Sequence, residues 1–470
     1  MQDSYLNENR FFSSDPEVRK IARELYEGIK DNPIISPHGH VDPNIFVDNK
    51  PFPNPKELFI SPDHYVFRML YSQGIKLEDL DIPDKEGKTL GLDPKKVWKI
   101  FGENYYLFAG TPSGAWLDYE FSKVFGIRER LNGENAEKIF DEINEKLQSS
   151  EYLPRALYER FNIEVLSTTD AAADSLEQHN KIKLSGWKGK VIPAFRPDSV
   201  TDLSNPDWKN NIDKLGKVAG IEINSYYDFI KAIEKRREFF KSMGATSTDH
   251  GVVSPYTNRL NELEAENIFQ RALQGKSEKD DAYLFTAHML MELARMSVED
   301  GLVMQIHPGC LRNHNSVVYD KYGPDKGCDI PIQTEYTNNL RALLNEYGNN
   351  SNFTVIVFTL DETNYSRELA PLAGHYPAMK LGPSWWFHDS IQGMTRFREM
   401  VTETGGFYNT VGFNDDTRAF VSIPARHDLS RRVDSNFLAS LVARHILDFS
   451  EAKKLSQELS YNLVKSAYKL

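Results

Sequence analysis

Short apolar segments with the length of β-strands recur along this chain, and longer stretches with helical character separate them. The strand-like segments are residues 34–36, 163–167, 191–195, 245–247, 302–306, 353–358, 378–381 and 408–413. Several are continuous apolar runs, which is typical of parallel strands buried on both faces. Alternating strands and helices predict an α/β fold, and eight strands favour a distorted (β/α)8 TIM barrel. A doubly wound sheet is the alternative, but no strand precedes a glycine-rich dinucleotide loop.

The long interval between the first two strand candidates contains helical segments of its own. Residues 136–147 place Ala136, Ile139, Phe140 and Ile143 at helical spacing. We therefore expect a helical insertion over approximately residues 44–155, after the first strand. The tail, approximately 435–470, is predicted to form a helical cap on the barrel. Because no proline- or serine-rich linker divides the chain, we expect residues 1–470 to form one domain.

Composition and charge exclude several classes of protein. The chain has 470 residues and a formal net charge of −12, which disfavours a nucleic-acid or anionic-membrane surface. The longest apolar runs are too short to span a membrane. The N-terminus has neither the basic region nor the apolar core of a secretory signal. With only Cys310 and Cys328, the sequence suits a reducing compartment, and we expect a cytoplasmic location.

Two histidines at the end of the first strand candidate are the first indication of a metal site. His38 and His40 stand one residue apart, so both side chains point to the same side of an extended backbone. Two imidazoles arranged in this way form half of a coordination shell for Zn²⁺. In a closed barrel, strands one and eight are neighbours, so an aspartate after the eighth strand candidate, Asp415 or Asp416, can complete the site.

Polar side chains also follow the other strand candidates. Barrel enzymes build their sites at the C-terminal ends of the strands. The candidates found there are Asp170, Arg196, Asp249, His250, His307, Arg312, Asp361, Trp385, Trp386 and Arg418. Arginines among them are bidentate donors that suit a carboxylate substrate. The two tryptophans either pack in the core or stack on a sugar ring, and the sequence leaves both open.

The same residues belong to a set of blocks that resembles the uronate isomerase (glucuronate isomerase) family of the amidohydrolase superfamily. The blocks are residues 38–40, 63–65 with Arg68, 167–170, 174–176, 195–198, 249–251, 305–307, 312–315, 323–325, 385–387, 416–418 and 426–427. Each block alone is weakly specific. Their order along nearly the whole chain makes the resemblance specific.

The resemblance implies an aldose–ketose isomerase that interconverts D-glucuronate with D-fructuronate and D-galacturonate with D-tagaturonate. It implies one divalent metal, expected to be Zn²⁺, held by His38, His40 and Asp416. Superfamily members with two metals use a lysine after strand four, where this chain has Asp249 and His250. A single metal is therefore expected. The only expected ligand beyond the metal is a small-molecule uronate, and a homo-oligomer is left open.

Isomerisation requires ring opening, proton transfer between C2 and C1, and stabilisation of an enediolate. We expect Asp416 to be the acid/base and Arg418 to orient the substrate oxygens. His64 and Tyr65 from the insertion are expected to assist ring opening. The residues expected to bind substrate are Arg196 and Arg312, at the C6 carboxylate, with His307, Asp249, His250, Trp385 and Trp386.

Two other functions are compatible with parts of the sequence. A metal-dependent hydrolase of the same superfamily is the closer alternative, although the missing lysine and the surplus of arginines argue against it. A carbohydrate-binding protein without catalysis is suggested by the 12% aromatic content. Such a protein does not need polar groups at every strand end, so we favour the isomerase.

Overall fold

The computed structural model describes residues 5–470, and its centre is a curled sheet of seven parallel strands in the order β1-β2-β3-β4-β5-β8-β9. A separate antiparallel pair, β6-β7, follows β5. The strands are β1 (Ile34–Ser36), β2 (Ile163–Ala171), β3 (Val191–Arg196), β4 (Ser247–Val252), β5 (Val303–Pro308), β6 (Cys310–Leu311), β7 (Ile330–Pro331), β8 (Val355–Val357) and β9 (Met379–Leu381). The predicted α/β class with a parallel sheet is therefore confirmed.

The sheet is not closed into a barrel, so the expectation of eight paired strands is confirmed only in part. The predicted last strand forms a single bridge, between Leu381 and Thr410. Thr410 follows a turn in which its N–H donates to the carbonyl of Phe407. Gly412 has a φ of 75°, which interrupts the extended backbone. The segment is therefore too irregular to pair with β1.

The limits differ most for two of the predicted strands. β2 continues to Ala171, and β4 begins at Ser247, where the predicted strand ended. Consequently Asp170, Asp249 and His250 lie within strands and not beyond them. Side chains in these strands alternate between the interior of the curled sheet and the surrounding helices.

The helices fall into three groups. Those that precede β3 are α1 (Pro16–Glu27), α2 (Asn44–Asp48), α3 (Pro55–Phe59), α4 (His64–Tyr71), α5 (Pro94–Glu103), α6 (Pro112–Tyr119), α7 (Ala136–Leu147), α8 (Pro154–Arg160) and α9 (Glu177–Leu184). Those between β3 and β9 are α10 (Asp198–Thr201), α11 (Trp208–Ala219), α12 (Tyr226–Ser242), α13 (Glu262–Leu273), α14 (Asp281–Asp300), α15 (Ser316–Tyr322), α16 (Arg341–Tyr347) and α17 (Ala370–Ala373). The last group is α18 (Ile391–Gly405), α19 (Ile423–Ala443), α20 (Phe449–Gln457) and α21 (Leu463–Ala467).

Four helices begin with a polar N-cap residue that is followed directly by proline. Asp15, Asn54, Asp93 and Thr111 each accept a hydrogen bond from a first-turn N–H, and each precedes a proline. Proline suits the first helical position because its φ is already helical and it has no N–H to satisfy. This pattern explains why the interval after β1 forms short, well-separated helices.

The interval between β1 and β2 has an apolar core of its own that is rich in aromatic residues. Phe59, Trp98, Phe101 and Phe121 are buried there with ring centroids 5.1–5.9 Å apart. This core also includes Ile34 of β1, which ties the inserted helices to the sheet. α4 is thereby held beside the C-terminal ends of the strands.

The interior of the curled sheet is filled partly by the C-terminal helix. Val464 and Tyr468 pack with Ile35, Val303 and Ile356 from the inner faces of three strands. α19 begins at Ile423, before the predicted start of the cap, and the extent of the cap stays a prediction. Treatment of residues 1–470 as one domain stays a prediction. Within residues 5–470, no helix is both long enough and apolar enough to cross a membrane.

Tyr468 gives a test of this packing. Its ring is 1% exposed and its hydroxyl donates to Gln305 Oε1 at 2.9 Å. We expect Tyr468→Ala to destabilise the protein by about 3–5 kcal/mol, because it leaves a cavity and removes the partner of a buried amide. Urea denaturation followed by circular dichroism measures the change. Tyr408→Ala, at a tyrosine 58% exposed, is the control and should change stability by less than about 0.5 kcal/mol. Equal effects of the two variants would contradict this packing role.

Candidate active site

A polar cavity lies at the C-terminal ends of the strands and collects residues from both ends of the sequence. The predicted site residues that line it are His38, His40, His64, Tyr65, Arg196, Asp249, His307, Arg312, Trp385, Trp386, Asp416 and Arg418. Residues nearly 400 positions apart in the sequence are thus neighbours. Their individual roles stay predictions.

Among the residues given a metal, catalytic or substrate-binding role from the sequence, His250 is the one that does not line this cavity, and the strand-end candidates Asp170 and Asp361 also lie outside it. It follows Asp249 on β4, so its ring lies on the opposite face of the strand, where its Nε2 is 2.8 Å from the hydroxyl of Thr248. Burial lowers the pKa of His250 to about 3, so the ring is neutral. Its place among the helices outside the sheet suits a packing role.

Three side chains at the seam between β1 and the segment after Thr410 converge on one oxygen atom. The Nε2 atoms of His38 and His40 lie 3.3 and 3.2 Å from Oδ1 of Asp416. Oδ1 is buried and accepts no hydrogen bond, and its partner Oδ2 accepts the indole N–H of Trp385. Burial alone would raise the pKa of Asp416, but the adjacent histidines hold it well below its usual range.

This cluster suits a divalent metal ion. Two imidazole nitrogens and a carboxylate oxygen are ligand types that Zn²⁺ binds, and the unsatisfied Oδ1 is left facing the two rings. His38, Asp249 and His307 form a second group of three whose ligand atoms lie within 4.8 Å of one another. The two groups share His38, so the metal has two overlapping sets of possible ligands.

Asp249 connects the histidines to the half-buried Arg196. It accepts from His307 Nδ1 at 2.6 Å and forms an ion pair with Arg196 at 3.1 Å. Arg196 also donates through Nε to Asp198 at 2.6 Å. The ring of His307 stacks on His38 with centroids 4.5 Å apart. Burial lowers the pKa of His307 to about 4 and outweighs the opposing effect of Asp249.

Gly251 allows the arginine to lie this close to β4. A Cβ atom at Gly251 would stand 2.3 Å from Arg196 Nη2 and 2.9 Å from Asp198 Oδ2. The N–H of Gly251 also donates to Asp198 Oδ2 at 3.0 Å. Glycine is therefore required here by close approach of side chains and not by its backbone conformation.

Helix α4 forms the wall that comes from the inserted region. Asp63 caps this helix by accepting the N–H of Tyr65 at 2.8 Å. His64 and Tyr65 stack with ring centroids 4.8 Å apart and both face the cavity. Burial lowers the pKa of His64 to about 3 and raises the pKa of Tyr65 well above its usual value.

The loop between β6 and β7 covers another side of the cavity. Its Arg312 pairs with Asp329 at 2.9 Å and lies over the ring of Trp386 at 5.0 Å. Asp325 from the same loop pairs with Arg418 at 3.1 Å. Each of these two arginines therefore has a carboxylate partner before any ligand binds.

Sequence reasoning gave no role to several acidic residues at this site. Asp63, Asp325 and Asp329 line the cavity, and Asp198 lies directly behind Arg196. Asp63, Asp198 and Asp325 stand in blocks that carry the family resemblance, which was the one available signal. Their pairing with particular arginines depends on loop conformation, so spacing along the sequence could not show it.

Taken together, the curled parallel sheet and the polar His/Asp cluster that could hold a metal ion at the C-terminal ends of its strands define a TIM-like α/β enzyme. The family model described as glucuronate isomerase matches residues 5–468. The chain therefore belongs to the glucuronate isomerase family.

Individual relatives agree with this assignment. The chain is 52% identical to the uronate isomerase of Brucella canis over 465 residues, which cover 99% of this chain and 100% of the relative. It is 53% identical to the uronate isomerase of Rhizobium meliloti over 459 residues, or 98% of each chain. The crystal structure of glucuronate isomerase from Caulobacter crescentus superposes with a TM-score of 0.97 at 52% identity, covering 99% of this chain and 97% of the other.

Metal binding can be tested apart from catalysis. We expect His40→Ala and Asp416→Ala each to weaken Zn²⁺ binding by more than about 10-fold. Loss of a residue that only hydrogen-bonds to a metal ligand already costs about that much, and loss of a ligand costs more. Isothermal titration calorimetry on metal-depleted protein measures the affinity. His445→Ala, at an exposed histidine, should leave it unchanged. Loss of binding in Asp249→Ala, with Asp416→Ala unaffected, would assign the metal to the other group of ligands.

Proposed function

We propose that this protein is a uronate isomerase that interconverts D-glucuronate with D-fructuronate and D-galacturonate with D-tagaturonate. The observation that carries the proposal is the convergence of His38, His40 and Asp416 on one point within a cavity that also contains arginines. Membership of the family supports the same conclusion. The substrate is then a sugar acid whose carboxylate needs cationic partners and whose carbonyl end lies near the metal-binding group.

The arginines differ in how free they are to bind the substrate carboxylate. Arg196 is shared between Asp198 and Asp249, so a substrate has to compete with two internal carboxylates. Within residues 5–470, Arg312 donates a hydrogen bond through Nη1 to Asp329, and its remaining N–H groups are left for a ligand. We therefore assign binding of the C6 carboxylate mainly to Arg312. Arg196 adds positive charge to the cavity while it stays paired with Asp198 and Asp249.

Proton transfer follows from the groups at the other end of the cavity. Asp416 is held ionised by its histidine neighbours and takes the proton from C2, and the O1 carbonyl oxygen gains a proton to give the cis-enediol. The proton then returns to C1 while O2 loses its hydrogen, which leaves the ketose. Arg418 stabilises negative charge that develops on O1 or O2. His64 and Tyr65 exchange the hydroxyl protons during ring opening.

His38, His40 and Asp416 would hold one divalent metal, and we propose Zn²⁺ because two nitrogens and one carboxylate oxygen suit it. When bound, the metal supplies positive charge that polarises the carbonyl oxygen or a water molecule. It would also offset the carboxylates that face the cavity. A cytoplasmic location and the absence of nucleic-acid or membrane partners stay predictions, and a homo-oligomer is left open.

The reaction can be followed directly by NMR. We expect the zinc-loaded protein to convert D-glucuronate or D-galacturonate in D₂O into the matching ketouronate. Deuterium should appear at C1 or C2, since a solvent-exchangeable acid/base carries the proton. Consumption of amide or ester substrates, with both uronates untouched, would instead support the metal-dependent hydrolase and overturn the proposal.

The Asp416→Asn variant identifies the acid/base in the same measurement. Asparagine keeps the size of the side chain but does not accept a proton, so we expect isomerisation to slow by about 10²- to 10⁴-fold. Asp361→Asn, at a strand end outside the cavity, is the matched control and should stay within about 2-fold of the original rate. Near-full activity of Asp416→Asn would remove Asp416 from this role.

Gly251 tests the placement of Arg196 without changing a charged group. The methyl group of Gly251→Ala would clash with Arg196 and Asp198, so we expect kcat/KM for D-glucuronate to fall by at least about 10-fold. Gly275→Ala, which has nothing within 4 Å of the added Cβ, controls for the loss of a glycine. Because Gly275 has a φ of 66°, its variant should lose some stability and keep its activity. Unchanged kcat/KM in Gly251→Ala would show that the exact position of Arg196 does not matter.

A further inference from the structure

A second cavity adjoins the candidate active site and shares a wall with it. This side cavity has a volume of about 320 Å³ and lies between the end of β4, the α10 region and the start of α14. His307 and Arg312 line both cavities. A molecule in the side cavity would therefore lie within reach of a side chain that also faces the catalytic groups.

One wall of the side cavity is a flat aromatic surface. Tyr256 and Tyr283 stack with ring centroids 4.8 Å apart and ring planes inclined by only 1°. Tyr283 remains 51% exposed, and Tyr256 is its only aromatic neighbour among residues 5–470. The Tyr283 ring is held on one face by Tyr256 and is partly exposed, so it is a suitable surface for the C–H face of a sugar.

Polar groups beside this surface have unused hydrogen-bonding capacity. Asp202 Oδ1 accepts the backbone N–H and the hydroxyl of Ser204, whereas Oδ2 accepts no hydrogen bond from the part of the chain that the structure describes. In the described part of the chain, Arg312 uses only Nη1 to donate, to Asp329. A carboxylate oxygen is a natural acceptor for sugar hydroxyls, and a guanidinium is a natural partner for a carboxylate.

The two cavities also differ in size. The catalytic cavity offers about 50 Å³, which is room for a few water molecules. The side cavity, at about 320 Å³, falls within the range of small-molecule sites, which starts at about 300 Å³. In this conformation the side cavity is thus the one that has room for a whole six-membered sugar ring.

We propose that the side cavity is an entry site that binds the uronate in its closed-ring form before the sugar reaches the catalytic groups. The ring packs on Tyr283, a hydroxyl donates to Asp202, and the carboxylate pairs with Arg312. Because Arg312 faces both cavities, it keeps hold of the carboxylate while the rest of the molecule moves. This inference rests on the proposed function, because it takes the uronate as the ligand.

Steady-state kinetics with D-glucuronate on the zinc-loaded protein test the entry site. We expect Tyr283→Ala to lower kcat/KM by about 2- to 10-fold, the value of one aromatic contact, and to leave kcat unchanged. Tyr283→Phe keeps the stacked ring and should behave like the original protein. Tyr408→Ala, an equally exposed tyrosine far from the cavity in sequence, is the matched control.

The possible outcomes separate the two proposals. If the original protein isomerises uronates and Tyr283→Ala matches Tyr408→Ala in kcat/KM, the entry site is wrong while the function stands. A fall in kcat that equals the fall in kcat/KM would indicate a structural role for Tyr283 and would also overturn the entry site. If the original protein converts no uronate, the proposed function itself fails.

Discussion

The contact between Asp416 and the two histidines of the first strand end is the interaction on which the site depends. It brings together residues from opposite ends of the sequence, with Nε2 atoms 3.2 and 3.3 Å from one carboxylate oxygen. A buried carboxylate is costly unless it is paired, so His38 and His40 stabilise the ionised form that the proposed chemistry requires. In return, Asp416 fixes the direction in which both rings point.

The remaining charges in the cavity follow the same rule of local compensation. Arg196 pairs with Asp198 and Asp249, Arg312 with Asp329, and Arg418 with Asp325; these ion pairs have N–O separations of 2.6–3.1 Å. The half-buried guanidinium groups of Arg196 and Arg418 thereby avoid part of the cost of desolvation. Arg312 is more exposed, and under the proposed function its remaining N–H groups bind the substrate carboxylate.

Much of this could be predicted from the sequence, and the exceptions have physical reasons. Apolar segments identified six of the seven strands of the curled sheet, since buried parallel strands leave a strong local pattern. β4 was placed too early, because Ser247–Val252 is mostly polar and only Ser247 lay in the predicted segment. The eighth failed because Gly412 and the turn before Thr410 act through backbone conformation, which apolar composition does not reveal. Once the strands were located, the polar residues that follow their C-terminal ends could be listed as candidates for the site. His250 was misplaced because its strand begins later, and alternation then turns its ring outward.

The open seam of the sheet and the cluster of His38, His40 and Asp416 belong to one structural feature. Asp416 has a φ of 41°, a left-handed conformation that is uncommon outside glycine and incompatible with a strand ladder. The seam is held instead by single contacts, with Ser36 Oγ donating to Asp415 Oδ2 at 3.1 Å and His40 N–H donating to the carbonyl of Thr417 at 2.9 Å. Along this irregular backbone Asp415 ties the seam while Asp416 turns toward the histidines, so the same segment leaves the sheet open and supplies the third member of the cluster.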